Sequence, residues 1–326
     1  MRYVELGGER VSAIGLGTWQ FGSRQWGYGA HYAEHDAIDI VAHALDLGIN
    51  LIDTAEVYGL GRSERTVGRA IAGRRAEVFV ATKVLPVLPV RAVVAQRAAG
   101  SARRLGIAQI DLYQLHQPNP VVPLNEQMGA MRALQQSGVI RHIGVSNYSL
   151  ARWQAAEAAL GGPVFSNQVR FNLVDRRPLR GMTEWAAANH RLVIAYSPLA
   201  QGLLSGRYDA QHRPTAMRAN SAAFLPENLD RARPLLQALR DVAAGHDATS
   251  AQVALAWVIS HPNVVAIPGA STTAQLQRNA EAADLELSVE DKRRLMDAAD
   301  AYRPLSGVTA VPSLVRMWTE GLRQKR

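Results

Sequence analysis

The sequence contains no cysteine. That excludes a disulfide framework, a thiolate metal site and a cysteine nucleophile, and it leaves the chain at ease in a reducing compartment. No apolar run reaches the roughly 20 residues that a membrane-spanning helix needs. The opening segment MRYVELGGERVSAIGLG lacks the bounded apolar core of a signal peptide. A soluble, cytoplasmic protein without a membrane partner is therefore expected. Two enzyme classes also lack their signatures. There is no His-Glu-x-x-His and no histidine pair at ligand spacing beside carboxylates, so no metal is expected; His31 and His35 read as a solvated helix edge. There is no Gly-x-Ser-x-Gly elbow for a serine hydrolase. Internal repeats and low-complexity tracts are absent.

Positive charge is in excess, with 36 Lys and Arg against 28 Asp and Glu, a net charge of +8. A basic chain raises the question of nucleic acid, which calls for cations clustered on one element. Here they are scattered, in short pairs such as Arg74-Arg75, Arg103-Arg104, Arg176-Arg177 and Arg293-Arg294, with a basic end at Arg323 to Arg326. That pattern reads as a solvated surface, and no nucleic-acid partner is expected.

At 326 residues and 48% apolar composition, the chain fits a single α/β domain spanning 1–326. Short apolar segments alternate with longer stretches of helical periodicity. Predicted strands are Ser12–Leu16, Asn50–Asp53, Val78–Thr82, Ile110–His116, Ile140–Ser146, Phe165–Gln168, Leu192–Ser197 and Val264–Pro268. Predicted helices include His35–Leu47, Ser63–Ala72, Val90–Arg104, Asn125–Ser137, Ser149–Leu160, Pro178–Asn189 and Ser250–Ser260. Such alternation makes parallel βαβ units. The series Asp53, Lys83, His116, Asn147, Gln168, Ser197 and Ser271 falls at or just past successive strand ends. In a closed (β/α)8 TIM barrel these side chains converge on one face, whereas an open sheet spreads them along an edge. A barrel is the expected fold. A hairpin, Tyr3–Leu6 and Arg10–Ala13 around Gly7-Gly8, would plug the opposite end. A long loop after strand 7, about 200–227, would cover the site. Ser288–Asp300 is predicted as an extra C-terminal helix opened by a near capping box, followed by an irregular tail over 303–326.

The segments Gly15-Leu16-Gly17-Thr18-Trp19, Asn50-Leu51-Ile52-Asp53-Thr54-Ala55-Glu56-Val57-Tyr58-Gly59, Ala81-Thr82-Lys83, Asp111-Leu112-Tyr113-Gln114-Leu115-His116, Gly144-Val145-Ser146-Asn147, Ala195-Tyr196-Ser197-Pro198-Leu199 and Ile267-Pro268-Gly269-Ala270-Ser271 occur in this order. Together they resemble the aldo-keto reductase superfamily. The pieces Gly59-x-Gly61-x-Ser63-Glu64 and Ser197 to Gly202 are most similar to its bacterial branch that also resembles potassium-channel β subunits.

The resemblance implies reduction of an aldehyde or ketone, with Asp53, Tyr58, Lys83 and His116 as the catalytic set. The same roles follow from chemistry. Hydride addition to a carbonyl leaves charge on oxygen, so a proton donor and stabilising groups are needed. Tyrosine, with an ordinary pKa near 10, becomes a stronger acid beside an ammonium. One such contact at about 4 Å contributes up to roughly 4 kcal/mol at an effective dielectric near 20, before desolvation opposes it. Tyr58 is then the acid, Lys83 the ammonium, Asp53 its counter-ion, and His116 a hydrogen-bond donor to the substrate oxygen. Taken singly, each has a plainer reading as a cap, core residue, surface lysine or satisfied histidine.

Gly15-x-Gly17-x-x-Gln20 mimics a dinucleotide fingerprint but lacks its third glycine and opens no helix. The resemblance instead puts Gly17, Thr18 and Trp19 beside a nicotinamide, with Asp53 nearby. It gives the carboxamide to Ser146, Asn147 and Gln168 and the ring face to Tyr196. Phosphates would lie along Ser197, Pro198, Leu199, Ala200, Gln201 and Gly202 with Arg207. Gly269, Ala270 and Ser271 would lead to a helix N-terminus that attracts anions, and Gln275, Arg278 and Asn279 would meet the adenosine half. Many relatives carry a cation near 269–275 for the 2′-phosphate, where this chain has Gly269, Ala270, Ser271 and Gln275. Arg207 and Arg278 are left as cationic partners, so NADPH is expected, with NADH the alternative. Trp19, Phe21, Trp26, Tyr28, Tyr148, Phe224 and Trp318 are candidate walls for a small-molecule carbonyl substrate of apolar or aromatic character. The sequence names neither the substrate nor the oligomeric state, and a monomer is compatible with it. A second reading, a nucleotide-binding redox sensor or regulatory subunit with slow turnover, follows from the same branch.

Overall fold

The computed structural model describes residues 1–23, 28–29, 32–214, 218–219, 221–313 and 315. Two antiparallel strands come first, β1 (Tyr3–Leu6) and β2 (Glu9–Ser12). Eight parallel strands follow: β3 (Leu16–Gly17), β4 (Leu51–Asp53), β5 (Phe79–Val84), β6 (Ile110–Leu115), β7 (Ile140–Ser146), β8 (Ser166–Arg170), β9 (Leu192–Tyr196) and β10 (Val264–Ala266). They are ordered as in the chain, and parallel bridges Ile14 to Ala266 and Gly17 to Gly269 join the last strand to the first. The expected TIM barrel is thus present and closed. Gly17 permits the closure, since a Cβ there would stand 2.7 Å from the Ile267 carbonyl oxygen.

The helices are α1 (Glu34–Asp46), α2 (Arg62–Ala70), α3 (Arg91–Leu105), α4 (Leu124–Gln136), α5 (Leu150–Leu160), α6 (Met182–Ala188), α7 (Pro226–Gly245), α8 (Ser250–Ile259), α9 (Thr273–Glu281) and α10 (Val289–Ala301). They surround the sheet, and β5 and β6 are buried along their whole length, as strands covered on both faces should be. Inside the barrel, Leu51, Phe79, Ala81, Leu112, Phe165, Leu192, Ile194, Val265 and Ile267 form their own apolar cluster. Leu6 and Val11 of the hairpin join it, so the hairpin does plug one end. Glu9 fastens it there by bonding to Arg141 and to His142 at 2.8 Å.

Several boundaries differ from expectation. Ser12 belongs to the hairpin, and the first barrel strand is reduced to Leu16–Gly17. The predicted helix Pro178–Asn189 divides at Gly181, whose φ of 87° breaks the helical path, into a 3-10 turn (Arg177–Leu179) and α6. The connection after β9 ends at Leu225, because α7 starts at Pro226, where proline suits a first helical position. Helix α7 is an addition to the expected set. It keeps Pro234 in its interior and buries Leu229, Leu235, Leu236, Leu239 and Val242, an apolar face large enough to offset the proline, which costs about 3 kcal/mol. Ser288 caps α10 in a full capping box with Asp291, as predicted.

Candidate active site

Asp53 ends β4 and Lys83 lies near the end of the adjacent β5, both buried. Lys83 Nζ donates to Asp53 Oδ1 at 2.6 Å, to the Thr54 carbonyl at 2.9 Å and to the Tyr58 hydroxyl at 3.4 Å. The second Asp53 oxygen accepts from Gln168 Nε2 at 2.6 Å, across the barrel from β8. Tyr58 opens a 3-10 turn (Tyr58–Gly61) just past β4, and its ring meets His116 edge-on at 5.8 Å between centroids. The Trp19 ring centroid stands 6.5 Å from that of Tyr58. The four expected catalytic residues come together at the C-terminal end of the barrel.

Burial dominates the electrostatics here. It works against the Lys83 ammonium, yet Asp53 and Tyr58 beside it raise Lys83 above the ordinary lysine value. Burial raises the Asp53 carboxyl despite Lys83 and Gln168. Tyr58 differs from the simple expectation of a lowered pKa. Burial raises it, and the Lys83 charge pulling it down offsets only part of that rise. The phenol therefore holds its proton at neutral pH. Burial, then the Lys83 charge, depresses His116 from 6.5 to about 3, which leaves a neutral imidazole. Its Nδ1 is buried and without a partner among the described residues.

A polar chain continues from His116 around the rim. Asn147 Nδ2 donates to the His116 carbonyl at 3.2 Å and to Ser146 Oγ at 3.1 Å. Ser146 Oγ donates to the Gln168 carbonyl at 2.9 Å, and the Tyr196 hydroxyl donates to Asn147 Oδ1 at 2.9 Å. Ser146, Asn147, Gln168 and Tyr196 thus form one network beside the Asp53–Lys83–Tyr58 group. Non-glycine residues with positive φ gather here as well: Leu60, Asn147, Ser197, Ala200 and Gln201. Strain of this kind persists where surrounding structure over-determines the backbone, as at binding sites.

The remaining expected cofactor residues flank the barrel seam. Ser197, Pro198 and Leu199 lead into a 3-10 turn (Ala200–Ser205) containing Gln201 and Gly202, and Asn172 Nδ2 holds the Ser197 carbonyl at 2.9 Å. Arg207 is exposed just beyond. Thr18 is buried and donates to the Asp53 carbonyl at 2.9 Å, next to Gly17. Gly269 bridges Gly17 across the seam. Thr272 caps α9 by accepting from the Gln275 amide, while Gln275 Oε1 accepts from the Ser271 amide at 2.9 Å. Asn279 is buried on α9, and Arg278 is exposed on it.

Residues 13–300 match the model of the aldo/keto reductase family. The chain belongs to that family. It is 55% identical over 317 residues to the uncharacterized oxidoreductase Rv2298 of Mycobacterium tuberculosis, covering 97% of this chain and 98% of that one. It is 29% identical to the NADH-specific methylglyoxal reductase of Escherichia coli, covering 92% and 99%. Among solved structures it is similar to an aldo-keto reductase from Klebsiella pneumoniae in complex with NADPH, at 32% identity and a TM-score of 0.74, covering 93% of this chain and 95% of that one. The chain is thus an oxidoreductase of the carbonyl-reducing class. No helix of the described residues is long and apolar enough to cross a membrane, and among them no acidic or histidine cluster could hold a metal ion.

The expected substrate walls fare unevenly in this aldo/keto reductase. Trp19 is 46% exposed, with its ring near Tyr58. Tyr28 is half-buried and packs edge-on against Tyr32 at 5.5 Å. Tyr148 and Phe224 are corrected: both are buried in the apolar core, Phe224 against Tyr208, so neither offers a face to a ligand. Phe21 is fully buried too. Trp26 and Trp318 lie outside the described residues.

Two groups around the site were missed in the sequence. Asn172 supports the turn after β9, bonding the Ser197 carbonyl while its Oδ1 accepts from Val174 and Asp175 amides. Glu56 supports the turn that carries Tyr58, through Arg97 and Leu85. The signal for Glu56 was its place inside Asp-Thr-Ala-Glu-Val-Tyr; a carboxylate two residues from a proposed acid asks for a partner.

Proposed function

We propose that this aldo/keto reductase reduces an aldehyde or ketone to the alcohol with NADPH, using Tyr58 as the general acid. The observation that carries the reading is the chain of contacts from Asp53 through Lys83 Nζ to the Tyr58 hydroxyl, with His116 against the Tyr58 ring. A nicotinamide nucleotide held by these residues would supply the hydride. Tyr58 then gives its proton to the oxygen that gains charge. The Lys83 ammonium stabilises the phenolate that remains, and Asp53 keeps that ammonium charged within a buried site. Neutral His116 donates one N–H to the carbonyl oxygen and sets its approach.

The donor set suits such a cofactor. Tyr196 offers an aromatic face, Asn147 and Gln168 offer amides, and the Ser197–Gly202 turn and the start of α9 offer backbone N–H groups to phosphates. Since Gln168 Nε2 is held by Asp53 and the Gln168 backbone carbonyl by Ser146, the side-chain Oε1 is the atom left for a carboxamide N–H. Arg207 and Arg278 are exposed and free to meet a 2′-phosphate. The NADPH complex of the Klebsiella relative supports that coenzyme, while the NADH-specific Escherichia coli relative makes the alternative worth measuring.

The test is to mix the protein with NADPH or NADH and a panel of aldehydes and ketones and follow the nicotinamide absorbance. Turnover dependent on Tyr58 supports the reading. Tight coenzyme binding without turnover of any carbonyl would favour a redox sensor, and neither binding nor turnover would overturn both.

A further inference from the structure

Glu56 lies two residues before Tyr58, and Leu85 lies two residues after Lys83. One carboxylate joins these two positions. Glu56 Oε1 accepts from the Leu85 amide at 2.6 Å and pairs with Arg97 Nη2 at 2.7 Å, and Oε2 accepts from Arg97 Nε at 2.9 Å. Arg97, on α3, also donates through Nη1 to the Leu85 carbonyl at 3.0 Å. The Glu56 amide adds a bond to the Lys83 carbonyl at 3.3 Å. The Glu56 side chain is only 8% exposed and that of Arg97 27% exposed, so water competes weakly with the pair. None of these atoms touches the reacting groups.

The contact they bracket is a long one. Lys83 Nζ to the Tyr58 hydroxyl is 3.4 Å, at the outer limit for a hydrogen bond, where a small shift of either backbone abolishes the interaction. Tyr58 itself sits in a turn with left-handed backbone at Gly59 and Leu60, which does not hold its own position by regular helical bonding. We propose that Arg97 and Glu56 are positioning residues that set the distance between Tyr58 and Lys83. A planar guanidinium suits this task because it grips a carboxylate on the acid's loop and a carbonyl on the lysine's strand at once. The proposal rests on the reading of Tyr58 as the acid.

A second pair of the same chemistry provides a control. Seven residues along α3, Arg104 Nε donates to the buried Glu64 at 2.6 Å, and Glu64 accepts from Thr82 Oγ1 at 2.7 Å, without any bond to the Tyr58 loop between 53 and 58. Breaking either pair should lower the melting temperature, but only the Arg97 pair should move the chemistry.

The experiment compares Arg97→Gln, Arg97→Lys, Glu56→Gln and Arg104→Gln with wild type. It measures kcat, KM, coenzyme dissociation constant and the pH profile of carbonyl reduction. For Arg97→Gln, kcat should fall on the order of 10 to 100-fold, the effect of a misplacement near 1 Å, with KM and coenzyme binding within about twofold. The alkaline limb of kcat should move to higher pH, because Lys83 lowers the Tyr58 pKa and would now lie farther away. Arg97→Lys should recover part of kcat, and Arg104→Gln should leave kcat and the limb in place. If Glu56→Gln fails to fold, the two Arg97 variants decide the matter. Unchanged kcat and limb in Arg97→Gln, or an equal loss in Arg104→Gln, overturns the proposal. If Tyr58→Phe alone keeps wild-type turnover, it is the reading of Tyr58 that fails, and the proposal falls with it.

Discussion

Gln168 and Asp53 meet inside the barrel, amide nitrogen to carboxylate oxygen at 2.6 Å, on the oxygen that Lys83 leaves free. The buried carboxylate is thereby bonded at both ends, by an ammonium from β5 and an amide from β8. Substituting Gln168→Leu should leave Asp53 Oδ2 without that donor and cost about 1–3 kcal/mol of stability. Denaturant unfolding would measure it. A variant as stable as wild type would show that the bond contributes nothing net.

Lys83→Met should cut kcat by roughly 10² to 10⁴-fold and also destabilise the fold, since removing one partner of a buried pair costs about 3–5 kcal/mol. Asp53→Asn combined with Lys83→Met should be more stable than Lys83→Met alone, because no unpaired carboxyl is then buried. A double mutant that loses the sum of the two single effects would contradict the pairing.

His116 gives a pH dependence with a definite sign. Its folded pKa of about 3 lies below the ordinary 6.5, so the unfolded chain takes up the proton first as the solution is acidified. The contribution of the neutral, buried ring is present above pH 6.5 and is lost as pH falls toward 3. The unfolding free energy should therefore decline over that interval, and His116→Asn should flatten the decline. Reduction should show no rate limb near 6.5 from this residue. Equal acid slopes in wild type and variant would refute the assignment.

Coenzyme choice can be separated from chemistry. If Arg278 and Arg207 meet the 2′-phosphate, Arg278→Ala and Arg207→Ala should raise the Michaelis constant for NADPH about 5 to 100-fold per lost charge-assisted contact, with NADH nearly unaffected. Equal constants for NADPH and NADH in the wild type would remove the preference altogether.

The barrel, and the convergence of the candidate site residues at one end of it, were legible because they rest on local signals. Short apolar runs end at or near Asp53, Lys83, His116 and Gln168, and closure of parallel strands brings such ends together whatever lies between. What escaped depends on direction or on tertiary support. An aromatic residue in a loop looks the same whether it stays exposed at the rim, as Trp19 does beside Tyr58, or packs into the core, as Tyr148 and Phe224 do. Helix α7 holds two prolines, residues that ordinarily interrupt a helix, yet Pro226 starts it and Pro234 is overruled by the leucines packed beneath it. The Tyr58 pKa is raised, not lowered, because burial, which no sequence pattern states, outweighs the nearby ammonium.

If Tyr58 supplies the proton, Tyr58→Phe removes the donor with the smallest change, one oxygen atom. Carbonyl reduction by the variant should drop by roughly 10² to 10⁴-fold while NADPH binding, followed by quenching of protein fluorescence, stays within about twofold of wild type. Near wild-type turnover with the same coenzyme affinity would contradict the account.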